Sequence, residues 1–258
     1  LREFVPSATV ALPLRDDVDA KREITLGTVL PMAAAAIVRD ESSALLGMQV
    51  QAHSADIGRD VAAAIRWALS ASPGESLPVA EGTGNADVPP LVELIDPDTE
   101  LDPLLHKDFS WWLPDGSEPS GEVGVALERA NAAIMPTERL TADGVRAAYW
   151  VDAGEKAHLR WVRPEPEEQL LAALARLSVL GELTLGENSR YAGSFRAHGV
   201  LVPVWDLDPE MHAREWAEPA RRFAGRLTDA LGSVADQPLT EQERRARDGL
   251  RGRQVTLR

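Results

Sequence analysis

The sequence predicts an α+β protein with a mainly antiparallel sheet, built from three β-β-α units whose helices pack on one face. Three stretches each contain two extended segments joined by a short turn and followed by an amphipathic helix: residues 36–71, 147–180 and 191–231. The copies share this pattern and not their residues. Because the order is β-β-α rather than β-α-β, a doubly wound nucleotide-binding sheet is disfavoured.

The first half is predicted to contain several strands and one helix. Residues 4–14 and 23–30 are rich in Val, Thr, Ile and Leu, which favours extended structure. The first hairpin turns at residues 40–43. The helix predicted over residues 57–71 places apolar side chains three or four positions apart, the spacing of a core-facing stripe. A short strand is also predicted at residues 91–95.

An acidic connector, rich in Pro and Gly, is predicted between two lobes. The N-terminal lobe covers residues 1–72, the connector 73–130 and the C-terminal lobe 131–258. Trp111 and Trp112 lie within the connector, and disordered linkers usually lack such paired tryptophans. We therefore expect the connector to pack on the body of the protein.

The second half is predicted to start with a strand at residues 132–140. The helix over residues 165–180 opens with prolines and acidic residues, which suit the free N–H groups and positive dipole of a helix start. The helix over residues 212–231 repeats the apolar spacing of the first. Residues 240–250 predict a polar, arginine-rich helix opened by a capping box, and residues 254–258 a last edge strand.

Charge and composition exclude several classes of function. The formal net charge is −14, and residues 75–128 hold thirteen acidic residues and one basic residue. This acidity disfavours general binding to nucleic acid or to an anionic membrane, because phosphate would be repelled. The chain has no cysteine, which excludes disulfides and cysteine-ligated metals here, and no apolar run reaches the roughly 18–20 residues of a membrane span. We expect a cytoplasmic protein without a membrane partner.

The common catalytic and cofactor motifs do not occur. GxxxxGK[ST], GxGxxG, GxSxG and HExxH are all absent, and the GxG at residues 82–84 does not join a strand to a helix. These absences argue against the commonest hydrolase and kinase designs. We predict no cofactor and no catalytic residue. An enzyme of a type without these motifs is kept as an alternative.

The densest polar group lies in the third unit, and we predict that it binds a partner through Arg196, His198, Trp205, Asp206 and His212. Metal-assisted hydrolysis at Asp206, Asp208 and His212 is the alternative, because two carboxylates and an imidazole can ligate a divalent metal or transfer protons. A structural explanation is simpler: an aspartate followed by proline, as at Asp208, is common where a strand passes into a helix.

The arginine-rich C-terminal segment offers a further alternative, an RNA- or ribosome-associated factor. The arginines that would contact phosphate are Arg244, Arg245, Arg251 and Arg253. The simpler explanation is a solvated helix in which Glu241 and Glu243 pair with Arg245 and Arg247, four positions further on.

Four segments carry a similarity to other sequences: residues 25–51, LERANAAI at 127–134, YAGSFRAHGVLVPVWDL at 191–207, and ERRAR with RQVTLR within 243–258. Through them the chain resembles an actinobacterial family filed as a domain of unknown function. Its members are often labelled preprotein translocase SecA-like, because some carry a zinc motif of the SecA C-terminal type. This chain lacks the cysteines of that motif. The resemblance therefore implies no catalytic, cofactor or metal residue here.

The sequence as a whole favours a non-enzymatic cytoplasmic interaction or regulatory protein with an unidentified protein partner. Metal-assisted hydrolysis and RNA binding are the two alternatives. Nucleic acid is possible as a partner but is not favoured by the charge, and the oligomeric state is not predicted.

Overall fold

Five α-helices and two mostly antiparallel sheets form the described part of the chain, which confirms the predicted α+β class. The structure is a computed structural model, and it describes residues 6–82, 85–114 and 116–253. The chain divides into two units, Leu1–Ile134 and Met135–Arg258. Residues 73–130, which the sequence predicts as a connector, belong to the first unit.

The first unit contains a six-stranded sheet. Its strands are β1 (Ala8–Ala11), β2 (Glu23–Val29), β3 (Ala36–Val38), β4 (Ser43–Gln49), β5 (Ser76–Leu77) and β6 (Leu104–Leu105). The order is β5-β3-β4-β2-β1-β6, and all neighbours are antiparallel except β2 and β4. Helix α1 (Ile57–Ser70) packs on β3 and β4 and buries Ala62, Ile65 and Ala68. The first β-β-α unit is therefore formed as predicted.

Helix α1 begins where two aspartates satisfy backbone donors. The Asp56 side chain accepts a hydrogen bond from the Arg59 N–H at 3.1 Å, a standard N-cap. Asp60 is buried and accepts from the Ser54 N–H at 2.7 Å and from the Gly82 N–H at 3.1 Å. Asp60 therefore ties the loop before α1 and the segment after β5 to the first turn of the helix.

The paired tryptophans pack against the sheet of the first unit. Trp111 Nε1 donates to Ser7 Oγ and Trp112 Nε1 donates to the Val29 carbonyl, both at 2.8 Å. A Cβ atom on Gly27 would lie 2.5 Å from the Trp111 ring. The absence of a side chain at Gly27 is therefore what lets the indole lie on β2.

The second unit contains a five-stranded antiparallel sheet. Its strands are β7 (Thr137–Ala142), β8 (Val145–Asp152), β9 (Ala157–Trp161), β10 (Arg190–Ala197) and β11 (Val200–Leu207), in the order β10-β11-β9-β8-β7. Its helices are α3 (Glu167–Val179), α4 (Ala217–Asp236) and α5 (Glu241–Arg251). A 3₁₀ turn, Ala213–Trp216, leads into α4. Helix α2 (Gly121–Ala132) belongs to the first unit.

One apolar core fills the second unit. Ala157, Leu159 and Trp161, at alternate positions of β9, all belong to it, so its helices pack on a single face of the sheet, as predicted. Phe223 of α4 lies with its ring centroid 5.0 Å from that of Trp205 on β11, in an edge-to-face arrangement. All these side chains are almost completely excluded from solvent.

The helices of the second unit are exchanged relative to the prediction. A chain of β-β-α units implies that each helix lies over the hairpin that precedes it. Helix α3 follows β8 and β9 but approaches the sheet most closely at β11, and α4 follows β10 and β11 but lies mainly over β7 and β8. The reason is the strand order: β11 adds beside β9 underneath α3, so the surface left for α4 is the one over β7 and β8.

Two local predictions differ from the structure, and a third is not tested by it. Residues 91–95 form a 3₁₀ turn at Leu91–Glu93 rather than a strand, after two prolines. The strand predicted at 132–140 begins only at Thr137, because α2 extends to Ala132. The edge strand predicted at residues 254–258 lies outside the described residues. Within the described ranges, no helix combines the length and the apolar character needed to cross a membrane.

Candidate functional site

Asp206 is the centre of a cluster of charged side chains at one edge of the second unit. It lies on β11, directly opposite His158 on β9 and Arg190 on β10. Lys156 precedes β9 and reaches the same carboxylate. Cross-strand pairing therefore brings three basic side chains to one acid, two from the start of β9 and one from β10.

The distances define how the cluster is held. Asp206 Oδ2 accepts from Lys156 Nζ at 3.1 Å and from the Arg190 Nη2 group at 2.9 Å. His158 Nδ1 lies 3.2 Å from Asp206 Oδ1, a contact that lacks the alignment of a hydrogen bond. Because both cations bond to the same oxygen, their nitrogens are at most about 6 Å apart. One ligand anion can therefore contact both.

The protonation states of Asp206 and His158 depend on both their burial and the charges around them. Burial by itself raises the pKa of Asp206, but the hydrogen bonds from Arg190 and Lys156 outweigh it and hold this pKa below its ordinary value. Burial lowers the pKa of His158, assisted by the charges of Arg160 and Lys156 and opposed by Asp206. At neutral pH the cluster therefore contains a carboxylate, two cations and a neutral imidazole.

An open hollow of about 380 Å³ lies against this cluster, lined by Lys156, Asn188, Ser189, Arg190, Asp206, Leu207 and Asp208. The cations present their ends to it: the side chains of Lys156 and Arg190 are 54% and 75% exposed, whereas Asp206 is 16% exposed. The Ser189 hydroxyl donates to the Gly186 carbonyl at 2.8 Å and accepts from the Leu185 N–H, so it belongs to the turn. The arrangement suits recognition of an anionic group more than nucleophilic chemistry.

The five predicted binding residues do not form one surface. Trp205 is a correction: it is fully buried in the core, and its Nε1 donates to the Leu183 carbonyl at 2.9 Å. Arg196 makes a two-bond ion pair with Glu167, at 2.5 and 2.7 Å. His198 lies in the β10–β11 turn with a φ of 49°. A tryptophan on the inward-facing side of a strand usually packs in the core rather than binding a partner, and Trp205 does so here.

The residues proposed for a metal also have separate roles. Asp206 contacts the basic cluster, Asp208 accepts from the Glu210 N–H at 3.0 Å, and His212 caps the 3₁₀ turn. His212 Nε2 lies 3.2 Å from Glu138 Oε1, and its ring stacks on Trp150. Among the described residues, no group of three or more His, Cys, Asp or Glu side chains is arranged to hold a metal ion.

The tail arginines are engaged within the fold. Arg245 pairs with Glu241 at 3.2 Å, one turn away, and Arg251 pairs with Glu168 of α3 at 2.5 Å. Arg244 donates to the Leu239 carbonyl at 2.6 Å. The Arg253 carbonyl accepts from the Ser194 N–H, which attaches the end of the described chain to β10. The capping box predicted at Thr240 and Glu243 is confirmed.

Three residues of the cluster were not among the predicted binding residues: Lys156, His158 and Arg190. Lys156 and Asp206 are 50 positions apart in the chain. The hairpin pattern places His158 and Asp206 on strands of two different hairpins. Only the pairing of β9 with β11 brings them together. Only the contact between Arg190 and Asp206 could have been predicted from the sequence, because these two residues lie opposite each other within one hairpin.

These features define an α+β protein with an ion-paired, solvent-open hollow at the ends of three neighbouring strands of an antiparallel sheet. The chain belongs to a family of unknown function, DUF5926, whose model matches residues 1–258. The predicted membership in a family of unknown function is thereby confirmed. No curated protein and no solved structure shows significant similarity to the chain.

Proposed function

We propose that the protein is a non-enzymatic interaction protein that binds an acidic segment of a partner protein in the hollow beside Asp206. The observation that carries this proposal is the convergence of Lys156 and Arg190 on one carboxylate oxygen, at 3.1 and 2.9 Å. Asp206 holds the two cations in place, and each keeps N–H donors for a ligand. Action in the cytoplasm, expected from the composition, is part of the same proposal.

The distribution of charge supports an acidic partner at this site. The first unit carries 22 acidic and nine basic residues, whereas the second carries 19 acidic and 18 basic residues. A negatively charged segment is therefore repelled much less by the second unit, on which the hollow lies. The exposed cations make electrostatic attraction the main source of both association rate and specificity.

Binding of a fluorescent octaglutamate peptide, followed by anisotropy, tests the proposal. We expect the K156E/R190E double variant to bind at least about tenfold more weakly, since two favourable contacts become repulsive. R245E is the matched control, because Arg245 is 74% exposed and pairs with Glu241 away from the hollow. Equal binding by K156E/R190E and the unmodified protein would refute the proposal.

The same assay distinguishes the RNA alternative. A single-stranded RNA oligonucleotide replaces the peptide, and the salt dependence of its binding is measured. Tight RNA binding that is lost in R245E and retained in K156E/R190E would favour the arginine-rich helix as the functional surface. Our proposal predicts weak RNA binding that R245E does not change.

A further inference from the structure

A second recessed site lies in the first unit, at the ends of β1 and β2. It is an open cavity of about 450 Å³, lined by Ala11, Leu12, Leu14, Ala20, Lys21, Arg22, Glu23, Ile24 and Ser42. Five of these nine residues are apolar, and the basic pair Lys21 and Arg22 is adjacent in sequence. A mostly apolar cavity of a few hundred Å³ with a few polar groups is the usual form of a small-molecule site.

Arg22 is the unusual member of this lining. Its side chain is only 5% exposed, yet its nearest acidic partner, Glu41, is 4.0 Å away and 87% exposed. Its Nε has no hydrogen-bond partner within the described part of the chain. A buried charge with a distant, solvated partner and an unused donor is costly, since buried charges are normally paired.

A structural role explains only part of this arrangement. Arg22 Nη1 donates to the Ala71 carbonyl at 3.1 Å, at the C-terminal end of α1. A cation there is favourable because of the helix dipole and the free carbonyl groups. That contact uses one of the five N–H donors of the guanidinium. It leaves the charge without a close anion.

We propose that this cavity binds an organic carboxylate, with the carboxylate at Arg22 and Lys21 and the apolar part against Leu12 and Leu14. The planar guanidinium matches the two oxygens of a carboxylate. A singly charged ligand also fits the surroundings better than phosphate, because Glu23 lines the cavity and the first unit is strongly acidic. The carboxylate can belong to a small free acid or to the C-terminus of a peptide.

Titration of the ¹⁵N-labelled full chain with four probes tests this proposal. We expect saturable amide shifts at residues 11–24 with hexanoate, with the free-acid peptide acetyl-Leu-Leu, or with both. Hexanol lacks the charge and inorganic phosphate lacks the apolar part, so each should bind at least about tenfold more weakly. Preference between hexanoate and the peptide identifies the source of the carboxylate. Failure of both would overturn the proposal.

Variants locate the binding. R22M should abolish hexanoate or peptide binding, and R22K should weaken it less, because it keeps the charge and loses the planar group. R15M is the matched control, since Arg15 is half exposed and pairs with Asp17 at 3.2 Å. If R22M does not fold, K21M serves instead, because Lys21 is exposed, and a several-fold loss is expected. Unchanged affinity in the folded variant would overturn the proposal.

Discussion

Arg176 of α3 and Glu243 of α5 form an ion pair, with Arg176 Nε 2.7 Å from Glu243 Oε1. The two side chains are 12% and 9% exposed, so the pair lies beneath the arginine-rich helix rather than on its surface. Arg176 Nη1 also donates to Ser233 Oγ at 2.7 Å, and Glu243 completes the capping box of α5. One arginine therefore connects α3, α4 and α5.

Loss of the Glu243 carboxylate should destabilise the second unit. We expect E243Q to lower the free energy of unfolding by about 2–3 kcal/mol, because Arg176 would remain largely buried without its anion. Denaturant unfolding measures this change. R245Q is the control: its partner Glu241 is exposed, so its cost should be at most about 0.5 kcal/mol. Similar costs for the two variants would contradict the assignment.

The same pair predicts a pH dependence in acid. The hydrogen bond from Arg176 is the largest cause that lowers the pKa of Glu243, from 4.5 to about 2. A lowered folded-state pKa contributes stability that is complete above about pH 4.5 and is lost as the pH falls towards 2. The stability difference between the unmodified protein and E243Q should shrink across this window. Melting temperatures measured from pH 2 to 7 check it, and a constant difference would exclude the linkage.

Gly27 tests the packing of the paired tryptophans. We expect G27A to destabilise the first unit by about 1–3 kcal/mol and to shift the tryptophan fluorescence, because its Cβ would lie 2.5 Å from the Trp111 ring. G225A is the control, since Gly225 is in α4 with no atom within 4 Å of the added Cβ. That variant should be stabilised by up to about 1 kcal/mol. A neutral G27A would show that Trp111 does not lie on β2.

His158 reports the charge of Asp206. Asp206 raises the pKa of His158 against the larger effect of burial, so D206N should lower that pKa further. NMR titration of the imidazole resonances measures the change. His212 is the internal control, because its contact is with Glu138. A rise in the His158 pKa in D206N would contradict the geometry of the cluster.

Hairpins and helices were predictable where their signals are local. Turn residues between two extended segments identify the three hairpins. Apolar residues at helical spacing identify α1, α3 and α4, and a capping box identifies α5. Helix α2 was missed because it contains Gly121 and Gly124 and buries only Leu127, so its apolar stripe is weak. The parallel pairing of β2 with β4 joins strands that are not consecutive in the chain, and no local pattern indicates it.

The candidate site was only partly predictable for the same physical reason. Asp206 was identified as a polar residue beside a turn, but its neighbours depend on which hairpin edges pair. His158 lies opposite Asp206 only because β11, rather than β10, joins β9. The burial of Trp205 likewise follows from the face of β11 that points into the core, where its ring meets that of Phe223.

The exchange of helices in the second unit affects how that unit is made. A nascent chain that ends after α3 contains the residues of β7, β8 and β9, but the helix that covers β7 and β8 has not yet been made. Synthesis must continue through α4 before this apolar surface is shielded from water. The core of the second unit can therefore be completed only after α4 has been made, and a product truncated before α4 would be a substrate for chaperones or proteases.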